Sequence, residues 1–285
     1  MAIIEKGGFK IYCNGKNSII INSDCIHECM QFYKDNNLDG VAITTSHDYK
    51  LDNIDFLIKY PDIRHLSISE GIENINAIHA LINLETLIFS GKNMSIDFSK
   101  FGSLRELIAD WSPHFINMDM CLNMTYLSLY NYNPKSKDCS SIPNLPLKKL
   151  KITQSPIKTL SGLEKFRLLE KIEITLCSKL EELCCLDNTK EKLISLRFSN
   201  CKRIKNHKYA AQLESLQELA FIRSGAIQSI KFIKELKVLK SLIFMDSDVL
   251  DGDVSPCLGL EYVYFTNKRH FSHTVAEIKS LSNLS

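Results

Sequence analysis

Four of the chain's ten cysteines, Cys177, Cys184, Cys185 and Cys201, fall close together, and four thiolates are the donor set that tetrahedral zinc prefers. Their spacing argues against a metal. No Cys-x-x-Cys occurs anywhere in the chain. Cys177 and Cys201 occupy equivalent places in successive sequence repeats, which puts them about one strand spacing (~5 Å) apart as turn residues. Cys184-Cys185 then reads as packing on the opposite side, and neither metal nor cofactor is expected. His27-Glu28-Cys29 offers base or ligand chemistry on a predicted helix, but a lone histidine with no partner brought near by spacing reads as a surface or packing residue. No Ser/His/Asp or Cys/His set can be placed at one site by spacing, so nucleophilic catalysis has no support. Walker-type loops and dinucleotide fingerprints are missing as well. The expectation is a chain that is not an enzyme.

A second group of residues suits recognition rather than reaction. Trp111, Tyr126 and Tyr130, followed by Lys149 and Lys151, combine rigid aromatic area with positive charge, while Ile243, Met245, Tyr262 and Tyr264 form a later apolar group. Aromatics and Met on an open strand face are costly without a use and are enriched where proteins meet. What joins these residues is position in a recurring Leu-x-x-Leu-x-Leu. Clean copies start at Leu84, Leu104, Leu147, Leu169, Leu193, Leu216 and Leu239, and weaker ones at Leu38, Ile63, Met124 and Leu260, in steps of about 20 to 25 residues. Side chains alternate along a strand, so the fourth and sixth residues of each copy share one face and the third, fifth and seventh share the other. All the recognition candidates stand at outward places except Trp111, which lies just beyond one.

A lone repeat cannot bury its apolar face, whereas stacked repeats can, in a parallel sheet whose strands each pair with the next. The segments after the strands, such as Ile157-x-x-Leu160-x-x-Leu163, Leu180-x-x-Leu183-x-x-Leu186 and Ile227-x-x-Ile230-x-Phe232-Ile233, have the three-to-four spacing of a short helix or 3₁₀ turn.

From about Leu38 onward the chain resembles the leucine-rich-repeat superfamily, in the irregular short-repeat form of bacterial members. The ninth place of that family's pattern is filled by Cys177 and Cys201, and by Ser112, Ser155, Ser224 and Ser247 in other copies. In the family this side chain turns inward and pairs backbone polar groups that the turning chain would otherwise strand. Gly71, Lys92, Tyr132 and Lys268 depart from the pattern. The resemblance implies an α/β, right-handed leucine-rich-repeat solenoid of about eleven repeats. Its parallel sheet would line the concave face, and short helices and 3₁₀ turns the convex one. It also implies a non-enzymatic module that recognises a protein partner through the concave face, with Tyr126, Tyr130 and Lys149 near the middle and Trp111 at the rim. Two narrower versions are a cytosolic immunity protein that neutralises a toxin and the recognition domain of an effector whose catalytic part is absent.

Residues 1–37 do not fit the repeat. Phe9–Cys13 and Ser18–Asn22 flank Asn14-Gly15, a hairpin turn signal, and Ser23 or Asp24 then caps a helix with Ile26, Cys29, Met30 and Tyr33 on one face. Covering the first open end of a repeat stack is the simplest use for such a segment, with the solenoid occupying 38–285. At the other end Leu281-Ser-Asn-Leu284 resembles Leu81-Ile-Asn-Leu84, the lead-in to a strand. The chain is therefore expected to stop where another strand would start, leaving an uncapped edge near Tyr262 and Tyr264 that offers self-association.

Composition supports a folded chain. With 285 residues, 45% of them apolar, it can bury a long core. A formal net charge of +2, with Lys and Arg scattered among Asp and Glu, gives little reason to expect nucleic-acid or membrane binding. No apolar run is long enough for a membrane span, and Met-Ala-Ile-Ile-Glu-Lys-Gly-Gly is not a secretory signal. Cysteines without paired scaffold spacing fit a reduced, cytoplasmic protein. Asn93, Asn123 and Asn283 begin glycosylation tripeptides, which have meaning only on a secreted chain.

Overall fold

The structure, a computed structural model, describes residues 2–13 and 15–282, and the chain divides into two compact units, Met1–Leu127 and Ser128–Ser285. In the first unit, β1 (Ala2–Lys6), β2 (Phe9–Cys13) and β3 (Asn17–Ile20) pair antiparallel in sequence order. The helix α1 (Ile26–Asp35) follows. From β3 the sheet turns parallel, through β4 (Gly40–Ile43), β5 (His65–Ile68) and β6 (Thr86–Phe89). A short β7 (Ile96–Asp97) interrupts the connection onward, and β6 then pairs with β8 (Glu106–Asp110). β7 itself pairs in parallel with β9 (Phe115–Ile116). β10 (Tyr126–Tyr130) begins in the first unit and ends in the second.

The second unit repeats one plan. Strands β11 (Lys149–Thr153), β12 (Lys171–Thr175), β13 (Ser195–Ser199), β14 (Glu218–Ile222), β15 (Ser241–Ile243) and β16 (Tyr262–Tyr264) pair in parallel, each with its successor. Strict alternation sets what is buried. Leu150, Ile172, Leu196, Leu219, Leu242 and Val263 lie in one register row and all are buried. The next inward row includes Phe198 and Phe221, stacked with centroids 5.6 Å apart. The connections carry short 3₁₀ turns, Leu163–Lys165, Asp187–Thr189, His207–Gln212 and Lys231–Glu235, where the three-to-four spacing left a short helix or 3₁₀ turn open.

Strands β10 to β15 each end in a sharp turn that uses the same device. Asn131, Gln154, Leu176, Asn200, Arg223 and Asp246 all have left-handed φ between 48° and 59°. The backbone N–H of the first five donates to a carbonyl of the next repeat, at Thr153, Thr175, Ser199, Ile222 and Met245, over 2.8–2.9 Å. One residue further on come the ninth-place side chains, turned inward as the family resemblance implied. The Ser155 hydroxyl donates to the Tyr132 carbonyl, Cys201 Sγ reaches the Ile174 carbonyl at 3.6 Å, and Ser247 Oγ donates to the Phe221 carbonyl at 2.8 Å. Tyr132, which departs from the pattern, is nevertheless fully buried.

Three details differ from expectation. The hairpin of β2 and β3 is present (Asn14, half of its expected turn, lies outside the described residues), but β1 adds a strand on its far side. Ser23 and Asp24 do not cap α1. Asn22 accepts from the Asp24 N–H at the head of a 3₁₀ turn, and Cys25 precedes α1 without a side-chain cap. Most plainly, Val275–Ser282 is a helix, α2, where a strand lead-in and an uncapped edge were expected. It packs against β16, with Lys279 Nζ 6.0 Å from the Tyr262 ring centroid. Thr274 explains the start: its N–H donates to Glu277 Oε2 at 2.7 Å and its hydroxyl accepts from the Glu277 N–H at 3.2 Å, a capping box. Asn283 and Leu284, the rest of the supposed lead-in, lie outside the described residues.

Candidate partner-binding faces

With one side of each strand committed to the core, the other side forms an open face built of register rows. In the second unit the first row runs Lys149, Lys171, Ser195, Glu218, Ser241, Tyr262, and the second runs Lys151, Glu173, Arg197, Ala220, Ile243, Tyr264. Charge and apolarity are segregated along them. Lys151 Nζ lies 3.0 Å from Glu173 Oε1, and Ser195 Oγ donates to Glu218 Oε2 at 2.8 Å. Toward β16 the rows become apolar: Ala220 and Ile222 are buried, Ile243 and Met245 half-buried, and Tyr262 and Tyr264 are 49% and 44% exposed. Arg223 Nε and Asp246 Oδ2, at the strand ends, form an ion pair at 3.0 Å.

The open face of the first unit is organised around Lys16, in the link from β2 to β3. Its Nζ lies 3.0 Å from His65 Nδ1, donates to Thr86 Oγ1 at 2.8 Å, and approaches Glu106 Oε2 at 3.9 Å. Burial, and then the Lys16 charge, push His65 below the ordinary histidine range, so the ring is neutral and its Nδ1 accepts from the ammonium. Beside this network is a cavity of about 260 Å³ lined by Tyr12, Ser67, Ile88 and Ile108 among others; a neighbouring one of about 250 Å³ shares Tyr12, Ser67 and Ile88. Gly40 is needed here, because a Cβ would sit 2.5 Å from the His65 carbonyl oxygen.

The recognition candidates fall in both units. Trp111 and the start of β10 with Tyr126 belong to the first, and Tyr130, Lys149 and Lys151 to the second. Tyr126 and Tyr130, four apart on β10, share its outward face; Tyr130 is 38% exposed, while Trp111, Tyr126, Lys149 and Lys151 are half-buried and engaged with neighbours. Ile243, Met245, Tyr262 and Tyr264 do come together, on β15, β16 and the turn after β15. Some outward positions are closed: Thr86, Ser128, Thr153 and Ile222 are buried despite facing away from the core. The Lys16–His65–Thr86–Glu106 network had no sequence signal, since its members are spread over ninety residues.

The cysteines form no ligand set. Cys177 and Cys201 are buried, and the neighbouring Cys201 thiol, together with burial, raises Cys177 far above the ordinary thiol range. Cys184 and Cys185 are half-buried. Among the described residues no group of three or more His, Cys, Asp or Glu is placed to hold a metal ion. His27 and Glu28 are exposed on α1, whereas Cys29 is buried and lies 3.9 Å from the Cys25 sulfur. Among the described residues no helix is long and apolar enough to cross a membrane.

This is the leucine-rich-repeat fold, and solved structures agree. An internalin (inlF) from Listeria monocytogenes str. 4b F2365 aligns with a TM-score of 0.52 at 18% identity, over 81% of this chain and 68% of its own. The leucine-rich repeat domain of the type III effector XopL aligns at 0.55 and 16% identity, over 78% and 82%. No protein-family model and no curated protein matches the sequence. At these identities the likeness extends to the fold.

Proposed function

We propose that the chain is a non-enzymatic protein-binding module that takes its partner on the open sheet face, the concave face of the solenoid expected from its repeats. Residues 1–37 serve as the cap of the stack and the repeats start at residue 38. One observation carries the reading: Tyr130, Tyr262 and Tyr264 stand on outward strand positions at 38–49% exposure. Nothing in the core requires aromatic residues there, and rigid aromatic anchors bind at little ordering cost. The fold supports it, because stacked repeats hold such side chains on a stiff sheet.

Site-specific photo-crosslinking tests the face directly. A benzophenone side chain placed at Tyr130 or Tyr264 should capture one and the same protein from source-cell lysate, whereas the same group at exposed Leu122 or Ile58, off the strands, should not. Against that partner Tyr126→Ala, Tyr130→Ala and the pair Tyr262→Ala/Tyr264→Ala should each weaken binding by ~1–3 kcal/mol. Tyr130→Ala and the β16 pair should leave melting nearly unchanged, while Tyr126, half-buried, should cost some stability as well. Crosslinks obtained only from Leu122 and Ile58 would move recognition off the sheet.

A further inference from the structure

We propose that the open face of the second unit selects an extended, acidic protein segment that carries a large apolar side chain at one end. The inference rests on the protein-binding reading above and names the partner's chemistry. Four cations, Lys149, Lys151, Lys171 and Arg197, share the two outward rows with two anions, Glu173 and Glu218. Both anions are already engaged, Glu173 by Lys151 at 3.0 Å and Glu218 by the Ser195 hydroxyl at 2.8 Å.

Lys171 and Arg197 are exposed, and among the described residues neither is within ion-pair distance of a carboxylate. Lys171 sits in direct register with Lys149 on one side and Ser195 on the other. Like charges directly opposite one another on a sheet are unfavourable. A partner carboxylate bridging Lys171 and Arg197 pairs both cations, and the local excess of positive charge steers it to the face.

The same rows run into the apolar end at Tyr262 and Tyr264. From β12, which carries Lys171, to β16 is four strand spacings, roughly 19 Å. An extended segment covers that with about six residues. The fitting partner therefore has Asp or Glu at one end of such a stretch and an aromatic or leucine side chain at the other. Lys279, leaning over the Tyr262 ring, adds a further cation at the apolar end and so favours a segment with no basic residue there.

Fluorescence anisotropy on the full chain tests this with three labelled probes: a random Glu–Tyr copolymer, a Lys–Tyr copolymer of equal length, and a single-stranded oligothymidylate. The Glu–Tyr copolymer should bind at least tenfold more tightly than either of the others. Lys171→Glu with Arg197→Glu should weaken it at least tenfold and bring the Lys–Tyr copolymer up; Tyr262→Ala with Tyr264→Ala should weaken it severalfold. Lys208→Glu with Lys231→Glu, both off the open face, should leave it within twofold, and circular dichroism of all variants should match the parent. Tighter binding of the Lys–Tyr copolymer, with the face variants still decisive, would overturn the acidic partner and leave the face intact. Equal binding of oligothymidylate through the same two cations would make the face an anion surface for nucleic acid instead. Binding that responds only to Lys208 and Lys231 would overturn this inference and the open-face reading together.

Discussion

Gly162 is a position where a single methyl group should damage the fold severely. Its φ is +96°, a backbone conformation L side chains rarely adopt, and an added Cβ would lie 2.4 Å from the Ser140 backbone nitrogen and 2.6 Å from the Cys139 carbonyl carbon. Ordinary contacts are about 3.5–4.0 Å, so something must move by an ångström or more. The neighbour is poorly able to give. Cys139 donates its N–H to the Ser161 carbonyl at 2.8 Å and accepts from the Ile142 N–H at 3.2 Å, while Ser140 donates its N–H to Asp138 Oδ1 at 2.9 Å. Overpacking costs ~1–3 kcal/mol and an unfavourable φ another ~1–3, so Gly162→Ala should lose roughly 2–6 kcal/mol. Gly102→Ala is the control: nothing lies within 4 Å of its Cβ and its φ is not left-handed, so it should fall within about 1 kcal/mol of the parent, on the stabilising side if anything. Urea unfolding followed by far-ultraviolet circular dichroism measures both. Equal midpoints for the two variants would refute the close approach of the two repeats at Gly162.

Leu150→Ala and Leu219→Ala, each buried in the inward register row, should destabilise by roughly 2–5 kcal/mol in the same assay, whereas Leu122→Ala, 72% exposed, should barely register. The purified chain should carry no stoichiometric zinc by elemental analysis, and Cys177 and Cys201 should react slowly with a thiol reagent while half-buried Cys13 and Cys25 react first; one metal per chain, lost on Cys177→Ser, would overturn the turn-ladder reading. Burial, joined at His65 by the Lys16 charge, depresses the pKa of both His65 and His207. The unfolded chain then binds protons at about pH 6.5 that the folded chain refuses, so this contribution to stability is complete above that pH and declines as pH falls below it. The urea midpoint should therefore drop between pH 7.5 and 5.5, and His65→Gln should shallow the drop; a midpoint that rises on acidification would contradict the sign.

Which parts of the molecule the sequence disclosed follows from what each part must satisfy. Leu150, Ile172, Leu196 and Leu219 had to be apolar at fixed spacing because each fills the layer against the next repeat, so their pattern exposes strands, pairing and register at once. Two local signals encode what the repeat does not. Gly7-Gly8, with φ of +59° and +82°, turns β1 into β2, and Thr274-x-x-Glu277 starts α2 where the resemblance of Leu281 to a strand lead-in pointed elsewhere. The candidate faces are a different matter. Alternation says that Ile222 and Tyr264 point away from the core, but not that neighbours bury Ile222 and leave Tyr264 at 44% exposure. Lys16, His65 and Glu106 meet only because three distant elements bring them together, and no local spacing encodes that. Outward residues carry little of the packing between repeats. Lys171 could become Ser, or Tyr264 Thr, and the leucine layer would still close. The rule that makes the fold readable thus leaves the open face unconstrained by folding, and any constraint on Lys171, Arg197, Tyr262 and Tyr264 has to come from what binds there.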